Sequence, residues 1–239
     1  MQQLNAIADY WSLRSHGYRL EIEDELNRNE DSFYAHELLS RVKKHNFSLA
    51  PSALDLGCGP GFFSILLAQN GFKVTAIDLS DGMLQQAKEL CQKRKLNVNL
   101  LKADVQNPPF TPESFDLIVS RNVFWDLPDL NTAYKNALKL LKKSGLLIIF
   151  DGNHYYYYQD PDYKMESWYD THSHLENVDV SIIDDIAKNL PASFKLRPEY
   201  DLQILNTLKP ISVKADILKT RRKNGKELID FFVIEAIKG

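Results

Sequence analysis

The sequence predicts an α/β protein, a three-layer sandwich built on a mostly parallel seven-stranded sheet whose last strand is antiparallel. Three observations carry that expectation. From about residue 37 onward, short apolar runs alternate with amphipathic helical segments, the rhythm of strand-helix units laid side by side. One run, 115–120 (FDLIVS), is apolar almost throughout, as a strand covered on both faces has to be. Near the carboxyl end Asn224-Gly225 separates two strand-like stretches, a hairpin signal that makes the final pair antiparallel.

The elements follow in order. Residues 53–56 read as a first strand running into a glycine turn and a helix over 62–69, and 73–77 (KVTAI) as a second strand. The helix over 82–93 sets Met83, Leu84, Ala87, Leu90 and Cys91 on one stripe. Strands at 97–102 and 115–120 come next, then a helix over 131–142 with Ala133, Ala137, Leu138 and Leu141 inward, stopped by Ser144-Gly145, and a fifth strand at 146–150. The rhythm then breaks: 151–197 holds seven tyrosines and tryptophans and three histidines without strand periodicity, and is expected to be a largely helical insertion over the sheet edge. A helix at 199–208 and strands at 212–218 and 230–237 complete a chain of 239 residues, 44% hydrophobic, expected to form one domain.

Composition narrows the function. A net charge of −3 and a pI near 6.1 give no global positive field, which argues against a phosphate-backbone partner. The start MQQLNAIADYW lacks the pattern of a signal peptide, and the longest apolar runs are too short to span a bilayer. The expectation is a soluble cytoplasmic protein, monomer or homodimer, without membrane contact. Cys58 and Cys91 lie in unlike contexts and are read as free thiols. His172-Ser173-His174 lacks carboxylate or cysteine companions at ligand spacing, so it reads as a polar loop and no metal is expected.

The chemistry concentrates at Leu54-Asp55-Leu56-Gly57-Cys58-Gly59-Pro60-Gly61-Phe62, where a strand runs directly into glycines and then a helix. Backbone without side chains can approach a ligand closely, so a nucleotide-like ligand is expected there. A dinucleotide turn of the form G-x-G-x-x-G would need glycine at the place of Phe62, and the pattern here is G-x-G-x-G instead. With Asp55 before it, this turn resembles motif I of the class I S-adenosylmethionine-dependent methyltransferases. The resemblance covers roughly residues 50–150 and implies S-adenosylmethionine as the cofactor.

The resemblance also implies roles. Asp78, ending the second strand, matches the acid that takes both ribose hydroxyls, although an acid there could equally cap the next helix. Met83 matches the residue packed on the adenine face, though a Met on that stripe is also ordinary core. Asp104 matches the acid that takes the adenine amino group. The N-terminal Tyr10-Trp11-Ser12-Leu13-Arg14-Ser15-His16-Gly17-Tyr18 is similar to a lid segment of related enzymes, in which aromatics screen the sulfonium and Arg or Tyr reaches the methionine carboxylate. Its plainer reading is an amphipathic helix with aromatics in the core. The implied donor set is therefore Tyr10, Arg14, Tyr18, Asp55, Gly57, Cys58, Gly59, Asp78, Leu79, Met83, Asp104, Val105, Arg121 and Asn122, with residues 1–36 as the lid.

Asn107-Pro108-Pro109-Phe110 looks like the tetrapeptide with which some methyltransferases grip a nucleic-acid adenine. In those enzymes it follows the fourth strand; here it precedes it, so a stiffened turn is expected. The acceptor pocket is instead expected to be aromatic, formed by the 121–126 loop and the 151–197 insertion, with Trp11, Trp125, Asn153, Tyr155, Tyr157 and Trp168 lining it. Asp151 and His154 are candidates for a proton acceptor, needed only if the acceptor atom is protonated, with Asn153, His172 and His174 behind them. Lys143-Ser144-Gly145 stands where the family usually has Pro-Gly-Gly, and the basic run 219–223 reads as a solvated loop. The resulting expectation is a methyltransferase acting on a small molecule by in-line displacement. An RNA- or tRNA-modifying enzyme, a non-catalytic donor-binding regulatory subunit and a nicotinamide oxidoreductase are the alternatives.

Overall fold

In the computed structural model, which describes residues 2–28, 32–164, 174 and 178–239, seven strands form one sheet in the order β3-β2-β1-β4-β5-β7-β6. The strands are β1 (Ser52–Leu56), β2 (Lys73–Asp78), β3 (Asn99–Lys102), β4 (Phe115–Arg121), β5 (Leu141–Gly152), β6 (Ser212–Lys223) and β7 (Lys226–Ile237). β1 to β5 pair in parallel, and β7 runs antiparallel to both β5 and β6. The helices are α1 (Gln2–Asn27), α2 (Phe33–Lys44), α3 (Phe62–Gln69), α4 (Asp81–Lys93), α5 (Leu130–Leu140), α6 (Ser181–Ala187) and α7 (Glu199–Thr207).

Strand periodicity divides the core. Along β5, Leu147 and Ile149 join a cluster with α5 and α7, while Leu146, Ile148 and Phe150 join one with α2, α3, α4 and the end of α1. Both faces of the sheet are therefore covered, which is why β4 and β5 carry almost no polar residue along their middles. A third, smaller cluster lies beyond the sheet: Ile7 and Tyr10 of α1 pack with Trp125, Tyr155, and Ile183 and Ala187 of α6.

Several boundaries differ from expectation. α5 stops at Leu140, and Ser144-Gly145 lies inside β5 instead of ending the helix. The cause is pairing: Leu141 is already opposite Phe115, and the ladder shifts register before Leu117 pairs with Leu146. Ser144, at φ 61, sits within that irregularity. The strand expected at 97–102 begins only at Asn99. The expected lid segment 1–36 divides, because α2 starts at Phe33 and buries Ala35 in the sheet core. In the 151–197 segment the described residues beyond β5 form one seven-residue helix, α6, and 3₁₀ turns at 156–158, 161–163 and 191–194. α6 packs on α1 and the loop after β4, while the 161–163 turn lies against the β6–β7 edge, where the Arg221 guanidinium donates to the Asp162 and Tyr163 carbonyls at 3.0 and 2.7 Å. Among the described residues no helix is long and apolar enough to cross a membrane.

Candidate functional site

The sheet order reverses between β1 and β4, and the crevice beyond their carboxyl ends is where open α/β sheets place ligands. β1 leads into the glycine turn there. The Gly57 and Cys58 amides both donate to the Ile77 carbonyl, at 2.8 and 2.9 Å, tying the turn to the end of β2. Gly57 and Gly59 have φ of 68° and 52°, in the left-handed region that glycine adopts without strain. Their reasons differ. A Cβ on Gly57 would collide with Val123 at 2.5 Å, whereas one on Gly59 would meet nothing nearer than Tyr18 at 3.8 Å and Met83 at 4.0 Å. Gly57 permits the loop after β4 to pack close, and Gly59 keeps a cavity open.

That cavity holds about 670 Å³ of atom-free space. Gly57, Gly59, Asp78, Leu79, Met83, Asp104, Val105, Arg121 and Asn122 of the sequence-derived donor set all border it, as does Tyr18. Asp78 accepts from the Gly59 amide at 2.8 Å through one carboxylate oxygen and from the Ser80 amide at 2.9 Å through the other. It is not the cap of α4. Ser80 is, its Oγ accepting from the Met83 amide at 3.1 Å. Burial pushes the Asp78 carboxyl above the ordinary carboxylate range, opposed by the bonds from Ser80 and Gly59. Asp104 accepts from the Gln106 amide at 2.8 Å.

A narrower recess opens off the same turn, lined by Asp55, Cys58, Phe62 and Arg121 among others. Asp55 is buried and accepts from Ser64 Oγ at 2.6 Å; desolvation pushes its carboxyl up to about 7. The Arg121 guanidinium lies 3.9 Å over the Tyr34 ring and pairs with Glu25 at 2.8 Å. Asn122 turns the chain at φ 55, and its carbonyl accepts from Trp125 Nε1 at 3.0 Å.

α1 forms the outer wall. Ser12 Oγ and Ser80 Oγ share a hydrogen bond of 2.8 Å, and Gly82 lets the helix backbone settle onto α4, since a Cβ there would meet Ser12 O at 2.9 Å. Trp11 Nε1 donates to Asp126 Oδ2 at 2.8 Å. Asp126 borders the main cavity, and burial, with Asp151 and Asp78 adding repulsion, pushes its carboxyl up to about 8. Neither Ser80 nor Asp126 stood among the sequence-derived site residues. Ser80 offered a signal, a serine three residues ahead of Met83; Asp126 offered only its place just beyond β4.

A second cavity of about 490 Å³ adjoins the first, sharing Trp11, Tyr18 and Asn122 with it. Tyr10 and Arg14, expected beside the donor, border this one instead, together with Trp125, His154 and Tyr155. Trp125 and Tyr155 stack with ring centres 5.0 Å apart. Other expected residues lie away from both cavities. Asp151 is enclosed, with Arg197 Nη1 at 2.9 Å, His154 Nε2 at 3.4 Å, and the Trp125 and Gly152 amides donating to it. Asn153 spends its amide on Arg197 and the Ile229 carbonyl. Tyr157 donates to Asp184 at 3.2 Å. Trp168 and His172 lie outside the described residues, and the His174 carbonyl accepts from Arg14 at 2.9 Å. Among the described residues no group of three His, Cys, Asp or Glu could hold a metal. Phe110 of the Asn107 to Phe110 turn packs edge-on to Phe115, 5.3 Å between ring centres, and none of the four residues borders either cavity.

A family profile described as "Methyltransferase domain" matches residues 54–149. The chain carries a methyltransferase domain at those residues. The methyltransferase domain is similar to a ubiquinone biosynthesis O-methyltransferase of Coxiella burnetii, 33% identical over 94 residues that make up 39% of this chain and 40% of that protein. It is also similar to a demethylmenaquinone methyltransferase of Staphylococcus haemolyticus, 31% identical over 134 residues, 54% of this chain and 55% of that one. The chain thus spans about half the length of the curated relatives it matches. A crystal structure from Methanococcus maripaludis, of a protein assigned to the S-adenosylmethionine-dependent methyltransferases, shares the fold. Its TM-score is 0.56 at 20% identity, covering 92% of this chain and 94% of that one.

Proposed function

We propose that this protein transfers the methyl group of S-adenosylmethionine to a small-molecule acceptor held in the second cavity. The observation that carries the reading is the junction of two unlike cavities through Trp11, Tyr18 and Asn122, one walled by glycines and carboxylates, the other by aromatic rings. The first fits the donor. Each Asp78 oxygen keeps a lone pair beyond its backbone bond and can accept from a ribose hydroxyl. Asp104 takes the adenine amino group, and Leu79, Met83 and Val105 provide the apolar walls of the ring slot. Cys58 and Arg121 lie toward the methionine end. The donor supplies a methyl group already activated on a cationic sulfur, so the chain has to align the acceptor, exclude water and face the cation with rings such as Tyr18 and Trp11.

In this reading the chain is one domain over 1–239, α1 is the lid, and 151–197 provides the acceptor side. Where the acceptor atom carries a proton, Asp126 is better placed to receive it than Asp151, which is already enclosed by four partners. Two buried free thiols suit a reducing, cytoplasmic setting. The names of the relatives specify small-molecule acceptors, which supports the same class here.

The test is incubation of the purified chain with labelled S-adenosylmethionine, fractionated metabolite extract and bulk tRNA in parallel. Label should enter a low-molecular-weight fraction and disappear with Asp78→Ala. Label confined to the RNA would overturn the acceptor class, and donor binding without transfer to any fraction would make the protein a binding subunit.

A further inference from the structure

β1 to β5 run in parallel, so their amino ends share one end of the molecule, opposite the crevice that holds the site. Six lysines stand at that end: Lys43 and Lys44 closing α2, Lys73 opening β2, Lys139 in the last turn of α5, Lys143 near the start of β5, and Lys238 just past β7, its amide bonded to the Gly145 carbonyl. Lys142 is taken by Asp116 at 2.8 Å, but none of the six pairs with a carboxylate among the described residues. A helix C-terminus draws bases through its dipole, which accounts for Lys43, Lys44 and Lys139. Lys73, Lys143 and Lys238 lie on strands or just past one, where no such dipole calls for them.

The two most exposed large apolar side chains among the described residues share this end. Leu49, in the loop before β1, is 100% exposed, and Ile211 is 63% exposed. Ile211 opens β6, its amide bonded to the Ile237 carbonyl beside Lys238, with Lys209 two residues ahead of it. β1 and β6 are separated by β4, β5 and β7, so the two tips stand roughly 20 Å apart at a strand spacing of about 4.8 Å. A hollow of about 810 Å³ between the 45–48 loop and residues 143–145 is bordered by Lys44, His45 and Lys143; Asp116 borders it too, held by Lys142. Toward the other ends of the strands stand Asp55, Asp78, Asp104, Asp126 and Asp151. A net charge of −3 thus conceals a chain that is positive at one end and negative at the other.

Apolar tips set among unpaired lysines suit a surface that offers phosphate anions over hydrocarbon, because the lysines meet the anions while the tips enter the layer beneath. A nucleic acid would engage the lysines and leave Leu49 and Ile211 in water. We infer that the amino end of the sheet docks on a membrane surface bearing anionic lipids, with the lysines against lipid phosphates and Leu49 and Ile211 in the headgroup layer. The charge separation fixes the orientation. The site faces away from the surface, roughly 20 Å above it, given the seven residues of β4 at a rise of about 3.3 Å each.

The experiment is flotation of the full chain with vesicles of phosphatidylcholine alone and of equal parts phosphatidylcholine and phosphatidylglycerol. Binding to the anionic vesicles should be about tenfold or more tighter and should weaken as salt is raised. Lys44→Gln/Lys143→Gln should remove most of that preference, whereas Lys219→Gln/Arg222→Gln, on the basic run toward the far end of β6, should leave it as it was. Leu49→Ser/Ile211→Ser should weaken binding several-fold at low and high salt alike, and thermal melts matching wild type show that each variant is folded. Equal binding to both vesicles, no binding to either, or equal losses in the two basic-residue variants would overturn the inference. Unchanged binding of the serine variant would overturn it too, since the tips would then not enter the lipid. Bulk tRNA bound through Lys44 and Lys143 where vesicles are ignored would make this end a nucleic-acid surface instead.

Discussion

Asp78 and Ser80 stand two residues apart and divide between them two roles that the sequence left combined. If Asp78 accepts from the ribose, Asp78→Ala should weaken S-adenosylhomocysteine binding by roughly ten- to a hundredfold, the worth of a hydrogen bond to a charged group. The same variant should no longer distinguish S-adenosylhomocysteine from its 2′-deoxy form. Ser80→Ala should instead cost about 1 kcal/mol of folding stability, the value of a lost cap, and leave that discrimination intact. Calorimetry and urea melts on the two variants would read this directly, and equal discrimination in all proteins would remove Asp78 from the ribose. Asp126 has a signature in pH. Its carboxyl, raised to about 8 by burial, binds its proton in the folded state over a range where the unfolded chain, near an ordinary value of about 3.9, has released it. Its contribution to stability is therefore full below about pH 4, falls as pH rises toward 8, and is flat beyond. Relative to wild type, Asp126→Asn should gain stability progressively across that window in melts at pH 5 to 9; a gap that does not change with pH would refute the assignment.

At the scale of elements, α1 is the wall that could be foreseen and whose attachment could not. An aromatic N-terminal helix was legible from Tyr10, Trp11 and Tyr18, but the contact that seats it is Gly82, which in sequence reads as an ordinary residue in the first turn of a helix. Gly82→Val places carbon where Ser12 O and Cα lie at 2.9 and 3.0 Å, so α1 has to lift from α4. Hydrogen exchange should then quicken across 2–27 while the strands stay protected, and S-adenosylhomocysteine affinity should fall; unchanged exchange in α1 would show that the helix is held elsewhere. The strands were legible for a plain reason, since a run buried on both faces has few alternative readings. The expected stop at Ser144-Gly145 failed because a serine-glycine pair signals a break in regular backbone without saying whether a helix ends or a strand bends, and the pairing of Leu141 with Phe115 decided it. Tyr10 and Arg14 went to the neighbouring cavity because spacing along a helix gives the face a residue occupies but not which of two adjoining hollows that face meets.

For the molecule as a whole, the fully buried network at Arg197 joins parts of the chain that share no strand ladder. Arg197 pairs with Asp201 of α7 at 2.7 Å and with Asp151 of β5 at 2.9 Å, and Asp151 in turn accepts from the Trp125 amide at 3.0 Å. The loop beyond β4, the end of β5 and α7 are thus fastened at one point. Arg197→Met leaves two carboxylates buried without their cation, and breaking such a pair costs about 3–5 kcal/mol. Urea unfolding should show that loss, with Asp151→Asn in the same background recovering part of it; a loss under about 1 kcal/mol would mean that solvent reaches the site.

The bond from Trp11 to Asp126 spans 115 residues of sequence, and that from Ser12 to Ser80 spans 68. Contacts so distant along the chain form late, because the intervening segment has to be ordered before its ends can meet. During synthesis the helix carrying Tyr10, Trp11 and Tyr18 leaves the ribosome well before the surface it will cover, with its rings exposed to water and to other nascent chains. The wall that shuts the site is then made before the surface it covers and is among the last parts put in place. Aggregation during expression should accordingly begin at this helix, and a helper protein that shields aromatic segments early in translation should raise the yield of folded chain more than one acting after release.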